Sequence, residues 1–505
     1  MSASTWLDPV VTTGDTFLSL DFMRGDDADD TPGLQALLAA VRANGGGRIV
    51  MQRPPRRYRF VATGNGYPGA RFPSNTEMFG ENGVEIFWTG SPKRDDFGGV
   101  AGSQRFGWLD IEPGSSRILI RDLIIRSDNT PFARYFNNQS SGIMIQPVGH
   151  LATHDVMVRD CAFLDHVGFP VHAPGGGLRI HTIRNTYTNC ANGENNNADY
   201  SVHYRNRFVN TESLEGSGAC SIFAMNDFSA SFTNGAVLSL GGNTSRGARV
   251  PGSLVVGNSI ANVPGLGIIA AEAFVNGFVQ GNVIDGAGNA GIQIGVAGVA
   301  FCDHNAVVDN VSTHARYGIN LFSAFATDTL VADNSCTDDF YAFLCSSPRA
   351  TVVGNTFSGS GKDVFFNVAD STVFADNAYD STRFGILHSA AFRRAPPPSQ
   401  LEVAVMGDVG TAWAVVQVRN WSSSGSVRLD LSGVARHGEQ FAIYHPYDLL
   451  GAPVARVTYR GSPVRLSMTR IQPPADWAVS TSQPLPQLGP RFGAFLLVRT
   501  ATTTD

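Results

Sequence analysis

Two carboxylates in matched surroundings stand out first. Asp199 and Asp227 hold equivalent places in the nonapeptides Ala198-Asp-Tyr-Ser-Val-His-Tyr-Arg-Asn206 and Asn226-Asp-Phe-Ser-Ala-Ser-Phe-Thr-Asn234, each seven residues before the closing Asn. If the two peptides are successive turns of one coil, the carboxylates sit roughly 5 Å apart, one strand spacing. At that range the charge of one raises the pKa of the other. Glycoside hydrolysis uses such a pair, about 5 Å apart for direct attack and about 6.5–9.5 Å when a water intervenes. Glu194 and Glu215 are the alternative acid pair: Glu194 opens the polar run Gly193-Glu-Asn-Asn-Asn197, where neighbouring segments read Gly-apolar-x-apolar. A polar break in an apolar repeat is where local rules yield to function. The competing reading makes the run a long turn and the aspartates acceptors for turn amides.

Polar residues at outward strand positions supply candidates for binding. His172, Asn196, Asn226, Gln293 and Asn320 are expected to line a groove, with Glu272 near the same face. Asp165-His166 lies at a corner before Gly168, where a histidine titrating near neutrality can orient a sugar or move a proton. Arg134, Arg205 and Arg316 have the forked geometry that pairs with uronic carboxylates. Six cysteines, Cys161, Cys190, Cys220, Cys302, Cys336 and Cys345, lack the C-x-x-C spacing of zinc ribbons and read as buried thiols. No metal and no cofactor is expected.

These residues are carried by a repeat. A short β-branched run ending in Asn recurs at Asn185, Asn206, Asn234, Asn258, Asn282, Asn310, Asn334, Asn355 and Asn377, in steps of 21, 28, 24, 24, 28, 24, 21 and 22 residues. Asp122 and Asp160 hold the same place in two earlier units. Between them stand strands such as Gly142-Ile-Met-Ile, Gly168-Phe-Pro-Val, Gly291-Ile-Gln-Ile and Gly318-Ile-Asn-Leu. Units of this length, with Gly and Asn at corners and no helical period, describe rungs of a parallel β-helix. The leucine framework of leucine-rich repeats is absent. Asn at a corner tolerates left-handed backbone and can ladder with its copies.

An open coil end needs a cap. Asp29-Asp-Thr-Pro32 starts a helix, Leu34, Leu37, Leu38 and Val41 form its apolar face, Asn44-Gly-Gly-Gly47 ends it, and strand Arg48–Met51 follows. From Asp29 to Tyr58, and on through Thr76–Ile86, the chain resembles the pectin-lyase-like superfamily, whose members open with Asp-Asp-Thr, a helix, a Gly-Gly turn and a strand. The resemblance covers roughly residues 20–390 and implies the right-handed parallel β-helix of carbohydrate-active proteins, without selecting one family. The Asn-Thr-Asp, Asp-Asp and Gly-His-Gly set of polygalacturonases is missing.

The expected fold is all-β: residues 1–92 with the capping helix and first rungs, a parallel β-helix over 93–392, and an antiparallel β-sandwich-like module over 400–505. The stiff stretch Arg393-Arg-Ala-Pro-Pro-Pro-Ser399 separates the last two. That module is similar to the accessory modules at the C-termini of many glycosidases. A formal charge of -6 and only two lysines, Lys93 and Lys362, argue against nucleic acid as a partner. No apolar run approaches a membrane span of roughly 18 residues. The N-terminus shows no basic n-region or apolar h-region, so the reading is cytoplasmic or a trimmed secreted protein. The leading function is glycoside hydrolysis or glycosyl transfer on an oligosaccharide or polysaccharide. A polysaccharide lyase is second, and a non-catalytic glycan-binding adhesin, which would trimerise, is third.

Overall fold

The computed structural model describes residues 6–11, 14–61, 70–89, 106–127, 140–145, 153–166, 168–174, 177–231, 235–241, 250–271, 273–296, 301–387, 396–411, 413–477 and 479–500. The chain divides into two compact units, residues 1–218 with 229–232, and residues 219–228 with 233–505.

In the first unit helix α1, Thr31–Ala43, has Pro32 in its first turn and buries Leu34, Leu37, Leu38 and Val41. Each such side chain contributes roughly 1.5–3 kcal/mol of hydrophobic stabilisation. Gly45 and Gly46, at φ +78° and +120°, turn the chain into strand Gly47–Met51. Strands then pair in parallel with their equivalents in the following turn. This register stacks Tyr58, Ile86, Ile125, Phe163, Tyr187 and Phe208 in one inward column, none more than 1 % exposed. Tyr187 lies between Phe163 and Phe208 with ring centroids 5.2 and 4.6 Å away.

The second unit continues the parallel pattern with an asparagine ladder. Asn226, Asn258, Asn282, Asn310, Asn334, Asn355 and Asn377 follow one another: from each of the first six, backbone N and Nδ2 donate to the next Oδ1 at 2.8–3.0 Å. The first unit uses the same device where the Asn185 amide donates to Asn206 Oδ1. The ladder member before Asn258 is Asn226 rather than Asn234, which lies outside the described residues. The left-handed residue is not the asparagine but the one before it: Met225, Gly257, Gly281, Asp309, Asp333, Gly354 and Asp376 have φ between +54° and +72°. That corner explains the recurring Gly-Asn and Asp-Asn pairs, since Gly takes this φ freely and Asp tolerates it.

The second unit also holds antiparallel sheets. One runs in the order Glu402–Met406, Trp413–Arg419, Phe492–Thr500, Gln440–Tyr444 and Ala455–Thr458, and Ser426–Leu429 pairs with Val464–Ser467. Val416, Val418, Leu429, Leu431, Ile443 and Leu497 form their core. Tyr447 fixes these sheets to the coil by lying against Gly257 and Gly281, where a Cβ would run into its ring and its hydroxyl respectively, and that hydroxyl donates to Pro486 O at 2.9 Å. Arg491 adds an ion pair of 2.7 Å to Asp333.

Candidate active site

Strand register decides which polar side chains of the first unit share a face. Arg71, Asp110, Met144, His172, Asn195 and Glu215 are in register on successive strands. Registered positions of a parallel sheet project to the same side. Their neighbours Leu109, Ile143, Val171, Glu194 and Leu214 are all fully buried on the inner side, so this column faces outward. Asp110, Met144 and His172 are nevertheless covered, at 7, 0 and 1 % exposure, whereas Asn195 and Glu215 are half-buried. The His172 ring packs against Phe169 with centroids 4.5 Å apart.

Glu215 is the chemically distinctive member. Burial pushes its carboxyl above the usual range, although hydrogen bonds from Asn195 and Ser213 pull the other way. Asn195 Nδ2 donates to Oε2 at 2.6 Å and Ser213 Oγ to Oε1 at 3.4 Å. His172 lies two rungs from Glu215, about 10 Å along the coil. Asn195 was marked by sequence only as part of the polar run 193–197, and Asp110 was not singled out; the alternation in Leu109-Asp110-Ile111 is the signal that could have found Asp110.

Glu194 faces the opposite way and is not paired with Glu215 at one site. Fully buried, it accepts from Thr182 Oγ1 at 2.9 Å and Tyr187 OH at 3.2 Å, and contacts His203 Nδ1 at 2.7 Å. The same parity turns Asn196 inward, against the expectation that it lines the groove: Nδ2 donates to Ile180 O at 2.9 Å, and Oδ1 accepts from the Ala198 amide at 3.0 Å. His166 is 1 % exposed, contacts Trp88 and Phe163, and has its pKa pushed down to about 4 by burial. It is neutral at pH 7 and inside the coil, so it does not reach a sugar. Asp165 is a corner residue at φ +61° that accepts from Arg126 at 2.8 Å. Asp199 is half-buried at another corner, its backbone bonded to Gly177 O and the Arg179 amide.

In the second unit Asn226 is buried in the ladder and does not face a groove. Asp227 is 1 % exposed, and its carboxylate accepts from the Ser480 amide at 2.8 Å and Ser480 Oγ at 2.5 Å. Gln293 and Asn320 are in register and bonded at 3.4 Å, with Gln293 Nε2 also donating to Gly295 O. Glu272 and Arg134 lie outside the described residues. All six cysteines are buried free thiols, and among the described residues no group of three His, Cys, Asp or Glu is placed to hold a metal. No described helix is long and apolar enough to cross a membrane.

No protein-family model matches the chain, and comparison with curated proteins finds no match. Solved structures do resemble it. The catalytic unit of a thermostable GH87 α-1,3-glucanase from Streptomyces thermodiastaticus is 14 % identical over 76 % of this chain and 71 % of its own, with a TM-score of 0.50. The A-module of a mannuronan C-5 epimerase from Azotobacter vinelandii is 15 % identical over 76 % of this chain and 100 % of its own, with a TM-score of 0.44. A tailspike protein of E. coli bacteriophage HK620, solved with a pentasaccharide, is 13 % identical over 96 % and 93 %, also with a TM-score of 0.44. The likeness to the glucanase is one of fold, and with the parallel pairing of successive turns it shows a right-handed parallel β-helix.

Proposed function

We propose that this chain cleaves glycosidic bonds, with the outward face of strands Phe169–Ala173, Glu194–Asn196 and Leu214–Gly216 as the floor of the site and Glu215 as the proton donor. The observation that carries this reading is the raised pKa of Glu215 on an outward, half-buried position, where it is held by Asn195. Departure of a sugar oxygen needs an acid that holds its proton more tightly than a free carboxyl and still meets the substrate. Asn195 orients the carboxyl by donating to Oε2, which leaves Oε1, with Ser213 Oγ 3.4 Å away, to carry the proton. The fold shared with an α-1,3-glucanase adds the substrate class by analogy. Glu215→Gln keeps the shape and the bond to Asn195 but removes the transferable proton. It is expected to lower kcat by about two orders of magnitude or more with the circular dichroism spectrum unchanged. Full activity in that variant would remove Glu215 from the mechanism.

A further inference from the structure

Two cations that stand out in the sequence take no part in the site described above. Lys362 is one of only two lysines in the chain, and Arg316 carries the fork that fits a carboxylate. Both lie on one strip of the second unit, where Tyr317, Tyr341 and Lys362 are in register on successive strands. A Cβ on Gly318 would meet the buried Cys336, so Tyr317 beside it projects outward. Arg316 stacks over Tyr317, 5.2 Å from the ring centroid. Neither Arg316 nor Lys362 has an ion-pair partner among the described residues, whereas Arg349 and Arg383 of the same coil are each paired with an aspartate.

An open aromatic ring lies between the two cations. The Phe340 and Tyr341 amides donate to Ala315 O and Arg316 O, which places Arg316 one rung before Phe340, and Lys362 follows one rung after Tyr341. The cations are thus about 10 Å apart along the coil, two strand spacings. Tyr317 and Tyr341 stack with centroids 5.5 Å apart and cover one another. Phe340 instead meets Tyr341 edge-on at 4.9 Å and lies against Gly361, where a Cβ would run into its ring. It keeps one face open and is 50 % exposed. Such a face packs on the C–H side of a pyranose, while cations on the flanking rungs pair with carboxylates of the same glycan. Half of Phe340 and less of Tyr317, Tyr341 and the neighbouring Phe365 amount to about 300 Å², against about 800 Å² that each partner buries in a stable protein interface. The exposed Phe322 and Phe325 follow the other end of strand Tyr317–Leu321, past the covered Asn320. Asp338, the exposed acid on the rung of Phe340, acts on His314. A narrow strip with two unpaired cations matches an anionic chain and is too small for a second copy of the protein. We propose that Phe340, flanked by Arg316 and Lys362, binds an acidic glycan, with a pyranose ring on Phe340 and uronate carboxylates on the two cations. This inference rests on the reading of the chain as glycan-active and is independent of the bond that Glu215 protonates.

The test is calorimetric titration of the full chain, its Phe340→Ala variant and its Arg316→Gln/Lys362→Gln variant with galacturonate, mannuronate and guluronate hexamers, and with glucose hexamers in α-1,4 and β-1,4 linkage. At least one uronate hexamer is expected to bind the parent chain more tightly than either glucose hexamer, and more weakly as salt rises. Each variant should lose about ten-fold in affinity for that uronate, Phe340→Ala through the lost stacking and the double variant through the lost pairing. Absence of uronate binding, equal binding of glucose hexamers, or an unchanged affinity in either variant overturns the proposal. Should Phe340→Ala melt early, the double variant, which changes only outward side chains, decides alone. A parent chain that sediments as an oligomer, falls to a monomer in Phe340→Ala and binds no uronate gives the strip to a second copy and also overturns it. If the parent releases reducing ends from a glycan while no uronate binds, this site falls and the reading of Glu215 stands. If a uronate binds as described while no glycan is cleaved, the site stands and Glu215 falls.

Discussion

At the scale of single residues, burial and hydrogen bonding give two similar glutamates opposite tasks. Glu194 and Glu215 are both on short strands of the same unit, yet Glu194 is locked inside by Thr182, Tyr187 and His203 while Glu215 faces outward. The sequence showed the polar break that contains Glu194 but not this division. One step of register sends every side chain of a strand to the other face, and short strands bounded by turns do not declare their register. Asp227 was equally hard to read, because its partner Ser480 lies 253 residues further on. A donor acts only while protonated, so Glu215 should govern the basic limb of the kcat–pH profile, with activity falling as pH rises through its raised pKa. The Asn195 bond lowers that pKa, so Asn195→Leu should move the basic limb to higher pH. A limb that stays in place, read from kcat across the pH range, would separate Asn195 from the proton donor.

At the scale of elements, the corner Asn is the unit of stability, and the period of the sequence exposed it. The rows from Asn258 to Asn377 and the helix over Leu34–Val41 were legible because each rests on a local pattern repeated at fixed spacing. The exceptions were also physical. Asn226 stands 32 residues before Asn258, outside the range of the other steps, so periodicity picked the wrong asparagine in that turn. Asn282→Ala removes the acceptor of two donors from Asn258 and a donor to Val255 O. It should cost about 1–3 kcal/mol or more, measured by urea denaturation. The same substitution at the half-buried end residue Asn377 should cost less, because water replaces its partners. Gly281→Ala should be worse than a usual glycine replacement. Its Cβ would both adopt φ +65° and meet Tyr447, so loss of stability and of the Tyr447 contact should appear together in thermal melts and tyrosine fluorescence.

At the scale of the whole molecule, buried acids couple stability to pH and the outward faces set what the fold can do. Asp309 is pushed up to about 7 by burial and by Asp333, against a bond from Gln280, and burial takes Asp339 to about 7 as well. A carboxyl whose folded pKa lies above its unfolded value of 3.8 binds its proton more tightly when folded. Its contribution is therefore greatest below pH 3.8 and is lost as pH rises to about 7. Asp309→Asn, which keeps an acceptor for Gln280, should remove part of this dependence and raise stability at pH 8 by on the order of 1–3 kcal/mol. Stability that does not change between pH 5 and 8 in either protein would contradict that assignment. The most direct test of the central claim is to incubate the protein with a panel of neutral and acidic polysaccharides and measure new reducing ends beside ultraviolet absorbance of unsaturated sugars. Glycosidic cleavage with Glu215 as donor predicts reducing ends from at least one neutral glycan, without absorbance and lost in Glu215→Gln; absence of scission, or unsaturated product from a uronate, would contradict it.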